Sequence, residues 1–222
     1  MRRLSLSLLT FIGCSLPSQA DPLIEKMRAF NTDGVLYAFE IALDDGEMRA
    51  TGKVDPSQPE GQRIQIYSPD ETEWSKDFRA RIEELESEVD GEIWCTEFAE
   101  SIPDDVERLA STEDTVTFGF TPQPEEDADG MERKMMKQLE GRVTLAKSDA
   151  QILAFSMVLP KPFKPSMAVK MNAFEMRVSC ARAPDGRTYN QAFDFNISGS
   201  AMMQNFNQSL SRQITKLLDP VQ

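Results

Sequence analysis

The sequence predicts an α+β protein in which a curved, half-barrel-like antiparallel sheet carries helices packed on one face. Segments that alternate apolar and polar residues are joined by tight turns, and such short connections require antiparallel pairing. The helical patterns are concentrated in an acidic block at about 68–140 and do not alternate with the strands, which argues against a parallel sheet. The chain of 222 residues therefore fits one domain, over 21–222, with ample length for a core.

The first part of this domain predicts one helix and three strands. Residues 23–30 have the pattern of a short amphipathic helix, and a Gly-containing turn at 31–34 ends it. Apolar residues then alternate along 35–43, and Asp44-Asp45-Gly46 forms a turn because glycine readily takes positive φ. Further strands are expected at 47–54 and 63–67.

The acidic block predicts most of the helices. An apolar residue recurs every three or four positions along 70–89, as on one helix face: Trp74, Phe78, Ile82, Leu85 and Val89. Asp70 and Glu73 have the spacing of a capping box at its start. A strand at 92–98, a helix at 103–110, a strand at 115–120 and a helix at 131–139 are expected to follow, in that order along the chain.

The last third predicts strands almost throughout. Residues 142–146 and 151–159 form a hairpin around a Ser-Asp turn, and 168–181 and 187–198 form a second one around a Pro-Asp-Gly turn. The proline-rich stretch between the two hairpins, at 160–165, is an extended connector that cannot join a central ladder. The tail to Leu218 is compatible with either a strand or a helix.

This order of elements resembles the LolA/LolB/RseB-type envelope proteins. The residues that carry the resemblance are few: Tyr37-Ala38-Phe39, the Gly46 turn, Gly52, the third strand ending at Pro69, and Gly141 to Leu145 through the Ser148-Asp149 turn. The resemblance covers about 23–69 and 140–200. It implies an unclosed antiparallel barrel whose concave face is covered by helices, in a protein of the cell envelope.

Composition excludes several classes of function. The chain has no histidine, so it has neither a catalytic triad nor a His-ligated metal site. The net charge of −13 argues against nucleic-acid binding. Residues 21–130 carry 9 basic and 30 acidic side chains, whereas 131–187 carry 11 basic and 5 acidic ones. The basic segment either neutralises the acidic one within the fold or meets an anionic partner such as lipid headgroups.

The first twenty residues predict a secretory signal. A basic start at 1–3 precedes a mostly apolar stretch at 4–16, and small residues at 18 and 20 fit cleavage after Ala20. The expected location is periplasmic or secreted, with no transmembrane segment in the mature chain. An alternative is lipidation of Cys14, within a lipobox-like Phe-Ile-Gly-Cys, which would anchor the protein to the membrane.

Cleavage would leave two cysteines, Cys95 and Cys180. An oxidising compartment favours a disulfide between them. Two buried free thiols are the alternative, because cysteine is often buried without a partner.

The expected function is non-catalytic binding of an apolar or lipid-like ligand, or of an envelope partner. The chain has 12 methionines and 13 phenylalanines, which suit an acyl-chain cavity as well as a filled core. The candidate lining residues are Tyr37, Phe39, Ile41, Phe155, Met157, Phe174 and Met176. No metal or cofactor is expected. The alternatives are a structural or regulatory interaction module and a hydrolase using carboxylate pairs such as Asp44/Asp45 or Glu97/Glu100.

Overall fold

A computed structural model describes residues 20–30, 34–124 and 128–221. Ala20, the predicted cleavage position, is the first described residue. The remainder of the predicted signal, including Cys14, lies outside the described residues.

The described residues form one ten-stranded antiparallel sheet that does not close into a barrel. The strands are β1 Leu36–Asp44, β2 Arg49–Val54, β3 Ile64–Ser68, β4 Glu107–Ser111, β5 Thr115–Phe120, β6 Glu140–Ala146, β7 Ile152–Val158, β8 Val169–Arg182, β9 Thr188–Ala201 and β10 Gln204–Val221. Their spatial order is β3-β2-β1-β10-β9-β8-β7-β6-β5-β4. The predicted fold class is confirmed.

The sheet is two meanders joined between its third and fourth strands. Strands β4 to β10 follow one another across the sheet, and β1 to β3 form a second run. The two runs meet where β1 pairs with β10, with Leu36 opposite Val221 and Asp44 opposite Ser211. The connection from β3 to β4 crosses the face of the sheet that carries the helices, and we call this the inner face. Strands β3 and β4 are the two open edges of the sheet.

Short helices cover part of the inner face. They are α1 Pro22–Arg28, α2 Lys76–Glu88, α3 Gly130–Met136 and two 3₁₀ helices, Glu71–Glu73 and Cys95–Ser101. Asp21 caps α1 and Ser75 caps α2, where the Ser75 hydroxyl accepts a hydrogen bond from the Phe78 amide at 3.0 Å. The α2 helix therefore begins at Lys76, after the separate 3₁₀ turn, and not at the expected box around Asp70.

Two predicted elements are wrong. The segment expected as a strand at 92–98 makes one bridge, from Trp94 to Tyr189, and then becomes the 3₁₀ helix Cys95–Ser101, because it crosses over the sheet instead of extending it. The segment expected as a helix at 103–110 contains β4, which pairs with the free edge of β5. A helix so short is marginal alone, so pairing with a strand outweighs its local preference.

Candidate functional site

The seven predicted lining residues lie in two separate clusters. Tyr37, Phe39 and Ile41 are buried in one cluster with Trp94 and with Phe78 of α2. These five residues define the α2 cluster. The other predicted residues belong to a cluster around the disulfide. Its members include Cys95, Phe118, Phe155, Met157 and Phe174, with Met176 partly buried against them, and we call this the disulfide cluster. The structure therefore does not bring all seven together around one space.

Tyr37 is part of a polar and aromatic contact network. Its ring packs edge-on against Trp94, with 6.1 Å between ring centroids. The Arg187 guanidinium lies 3.4 Å from the centroid of the Trp94 ring and its Nε donates to Asp185 at 2.9 Å. Burial, and then the negative charge of Asp185, raise the pKa of Tyr37. These contacts give Tyr37 a role in holding the β8–β9 turn against β1.

The predicted disulfide is confirmed and holds the cover on the second cluster. Cys95 and Cys180 are bonded, which links the start of the 3₁₀ helix to β8 across a sequence separation of 85 residues. Phe98 of the same helix stacks on Phe155, with ring centroids 4.9 Å apart. Phe155 is 2% exposed as a result. This part of the inner face is a packed core.

A charged residue lies on the inner face between the two clusters. Opposite residues in an antiparallel sheet point to the same side. Arg212 lies opposite Leu43 of β1 and opposite Phe193 of β9, and Phe193 in turn lies opposite Val178. The row continues with Phe155. Arg212 is therefore a cation in an otherwise apolar row that crosses the centre of the sheet.

The Arg212 guanidinium has few partners. It lies 5.7 Å from the centroid of the Phe193 ring, and its Nη2 donates to the side-chain oxygen of Asn190 at 2.9 Å when that amide is oriented to satisfy its neighbours. No carboxylate of the described residues lies at ion-pair distance from it. Burial lowers the pKa of Arg212, and the negative charge of Glu97 opposes this effect at longer range.

Glu97 faces this cation from the 3₁₀ helix. Partial burial of its carboxyl group raises the pKa of Glu97, and the negative charges of Glu92 and Asp90 raise it further, while Arg212 lowers it. The side chain as a whole stays exposed. The centre of the inner face therefore holds a partly desolvated cation and an acid that is not bonded to it.

Partly exposed apolar side chains extend from Arg212 along the inner face. They are Met176, Phe193, Phe195, Ile197, Phe206 and Leu210, and we call them the inner-face strip. Phe195 packs edge-on against Phe174, with 5.6 Å between centroids. Gly199 is required beneath Phe206, because a Cβ at Gly199 would lie 2.5 Å from that ring and 2.3 Å from the backbone oxygen of Lys170.

The strip continues onto an arm of the sheet. Strand β10 pairs with β1 only as far as Ser211, so its residues 204–210 extend beyond β1 together with their partners 195–201 of β9 and with 169–174 of β8. These three segments define the projecting arm, about 23 Å long at strand spacing. A cleft of about 440 Å³ lies at its base, with Asp77 and Arg81 of α2 and Gln208 of β10 among its lining residues.

The carboxylate pairs considered from the sequence have different environments. Asp44 and Asp45 accept hydrogen bonds from backbone amides of their own turn, including Gly46 at 2.9 Å and Met48 at 2.8 Å. The Gly46 amide is the main reason that the pKa of Asp44 is lowered. Glu97 and Glu100 lie on the 3₁₀ helix, where the negative charge of Glu100 contributes to the raised pKa of Glu97. The Asp44 and Asp45 carboxylates therefore stabilise their own turn.

Sequence reasoning missed Arg212. Every second residue of the tail is Phe206, Gln208, Leu210, Arg212 and Ile214. Because the tail is compatible with a strand or a helix, its sequence does not assign these residues to one face. An arginine at an inward position of an alternating strand is the signal that could have found it, once the tail is known to be a strand.

A second cleft of about 560 Å³ lies beside α1, where Arg28 donates to the Ile102 carbonyl at 2.5 Å and forms an ion pair with Asp104. Thr96 also lines it, and its buried hydroxyl has no hydrogen-bond partner in the described part of the chain. Within that same part, no three acidic or cysteine side chains are grouped as metal ligands, and no helix has the length and apolar character needed to cross a membrane.

Comparison with protein-family models, with curated proteins and with solved structures finds no match to this chain. The resemblance to LolA/LolB/RseB-type proteins therefore stays a prediction from the order of elements.

Proposed function

We propose that this protein is an exported, non-catalytic binding protein that holds an amphipathic ligand, with an apolar chain and an anionic head, on its inner face. The observation that carries the proposal is Arg212, a partly desolvated cation in the central apolar row with no carboxylate at ion-pair distance among the described residues. Keeping such a charge on an apolar face is costly unless an anion completes its environment.

The head of the ligand is assigned to Arg212. A guanidinium binds a carboxylate or phosphate through two parallel hydrogen bonds, and such charge-assisted bonds are stronger than neutral ones. Asn190 already accepts one of the guanidinium N–H groups at 2.9 Å, which orients the others. The nearby Glu97 competes for the same cation, so its protonation or displacement favours the ligand.

The chain of the ligand is assigned to the inner-face strip. Its six apolar side chains are only partly covered by the protein itself. Burying that surface under an acyl chain removes apolar area from water, which is the main driving force for binding such ligands. The Cys95–Cys180 bond supports the exported location, because disulfides persist in oxidising compartments.

Binding of palmitate and of its methyl ester tests the assignment by titration calorimetry. Arg212→Gln is expected to weaken palmitate binding by about tenfold or more, from the loss of a charged hydrogen bond. Glu97→Gln is expected to strengthen it a few-fold. Arg177→Gln, on the exposed outer face of β8, is the matched control and leaves binding unchanged.

The proposal fails if the methyl ester binds as tightly as palmitate, or if Arg212→Gln binds normally while remaining folded in urea titrations. Native mass spectrometry of the protein from its producing cells adds a second readout. A bound mass that dissociates as lipid supports the proposal. The mass of the polypeptide alone argues against it and favours a protein partner.

A second candidate function is a protein-interaction module of the cell envelope. Strand β4 is one open edge of the sheet, and all five of its side chains are exposed, so a partner strand could add to it. Glu107 and Arg108 on this edge also discourage non-specific pairing. Co-purification of a partner that is lost on substituting Ser111 by proline would favour this candidate. The Thr112 N–H donates to Thr115 of β5 at 2.9 Å, so the adjacent Ser111 N–H points to the open edge.

A further inference from the structure

The tip of the projecting arm has an unusual turn. Strands β9 and β10 are joined by two residues only, Met202 and Met203, after the pair of Ala201 with Gln204. Both methionines have positive φ, 49° and 69°. A two-residue turn with two positive φ values strongly prefers Asn and Gly, because other side chains are strained there. The methionines are therefore not in this turn for conformational reasons.

These side chains are also almost completely exposed. Met202 is 81% and Met203 is 100% exposed, and Met167 on the neighbouring connector is fully exposed as well. The Met202 amide donates to the carbonyl of Ala168 at 2.9 Å, which places Met167 next to the turn. We call these three residues the methionine tip. Three large apolar side chains grouped in solvent mark an interaction site more often than a folding requirement.

The two segments that flank the tip in the sequence carry positive charge only. Residues 160–171 contain Lys161, Lys164 and Lys170 and no acidic residue, and residues 199–206 contain no charged residue. The Lys134 ammonium donates to the Pro165 carbonyl at 3.4 Å and adds a fourth cation beside the connector. This is a local reversal, because the whole chain has a net charge of −13.

We propose that the methionine tip docks on the surface of an anionic lipid bilayer. The methionines enter the region below the headgroups, and the lysines around them contact lipid phosphates. Apolar side chains flanked by lysines are the combination that binds bilayer interfaces, since apolar burial and attraction to anionic lipid act together. The charge pattern favours lipid over a second copy of this chain, whose surface is acidic.

The position of the tip suits this contact. It is at the end of an arm that extends beyond β1, and the bridge between Phe163 and Met171 holds the lysine-bearing connector against the arm. The inner-face strip ends nearby at Phe206 and Ile197. Docking does not require that strip to hold a ligand, so this proposal and the proposed function can fail separately.

Flotation with vesicles tests the proposal, using phosphatidylcholine with one quarter phosphatidylglycerol and phosphatidylcholine alone. The protein is expected to bind the anionic vesicles and to bind neutral ones far less, with binding that weakens as salt is raised. The Met202→Asn/Met203→Gly variant installs the residues that this turn prefers. It is expected to fold at least as stably as the parent. Its binding to vesicles is expected to be weaker by a factor of about ten or more.

Two further variants separate the contributions. Replacing Lys161, Lys164 and Lys170 by glutamine is expected to cost about fivefold for each lysine and to remove most of the salt dependence. Tyr67→Ser removes a large side chain that is 55% exposed at the distant β3 edge and should change nothing. The proposal is overturned if the parent does not float, if the Asn-Gly variant floats equally well, or if that variant instead abolishes self-association of the protein.

Discussion

The inner face of this one sheet has two regions of different character. Around Phe155, the 3₁₀ helix and the disulfide cover the sheet, and side chains are almost completely buried. On the projecting arm, Phe195 lies on the same face but stays partly exposed. Both regions have the same period-two alternation of apolar residues. The cover, and not the strand pattern, decides which apolar face becomes core and which remains available for binding.

Removing the disulfide should have the largest effect on this contrast. Replacing both Cys95 and Cys180 by alanine is expected to lower the free energy of unfolding by about 3 to 5 kcal/mol, as for other long disulfide loops. The expected result in urea titrations is a lower midpoint, accompanied by stronger binding of a hydrophobic dye, since the cover is less firmly held. An unchanged midpoint would mean that packing alone holds the 3₁₀ helix on the sheet.

Truncation of one phenylalanine in each region compares them directly. Phe155→Ala is expected to cost about 3 to 4 kcal/mol, because it leaves a cavity under Phe98. Phe195→Ala is expected to cost about 1 kcal/mol, since its ring is already partly in water. Urea unfolding of both variants gives the comparison. Equal costs would contradict the distinction between a covered core and an open arm.

The raised pKa of Glu97 should make the free energy of unfolding depend on pH, with a smaller effect than the truncations above. Burial raises the pKa of Glu97 in the folded protein above its value in the unfolded chain. The folded state then binds the proton more tightly, so the stability contributed by Glu97 is present at low pH and is lost as pH rises from the ordinary glutamate pKa through the raised one. Glu97→Gln should remove this loss.

The pKa of Asp185 is shifted in the opposite direction to that of Glu97. Burial acts against its charge, but hydrogen bonds from Arg187 prevail and lower the pKa of Asp185. Its contribution is therefore lost as pH falls below the ordinary aspartate value. Thermal unfolding of Glu97→Gln and Asp185→Asn across pH 3–8 measures both. The same direction of pH dependence for the two acids would contradict their assigned environments.

Much of the sheet could be predicted from short stretches of sequence. Strands β1 and β6 to β9 lie within a few residues of the alternating segments, and the Asp44–Gly46 turn forms through hydrogen bonds between neighbours. These features depend on residues adjacent in the chain, so a local pattern contains the required information. The two cysteines of the predicted mature chain similarly allowed only one intramolecular pairing.

The candidate site was less predictable. The seven expected lining residues share an inward orientation, yet they are divided between the α2 cluster and the disulfide cluster. Segments 92–98 and 103–110 took other forms because each is set by a distant strand, β9 in the first case and β5 in the second. Arg212 lies in the apolar row of the inner face only because β10 pairs with β1 on one side and with β9 on the other.

By itself, the sequence determined the antiparallel class, most of the strands and turns, the disulfide partners and the reversal of charge around 131–187. The tertiary structure decided that β10 pairs with β1 and so joins the two meanders, that helices cover only part of the inner face, and that an arm with exposed methionines extends beyond them. The physical reason is the distance along the chain between the residues that interact. Alternation and turn chemistry act between neighbours, whereas covering a face requires contacts between segments far apart in the chain.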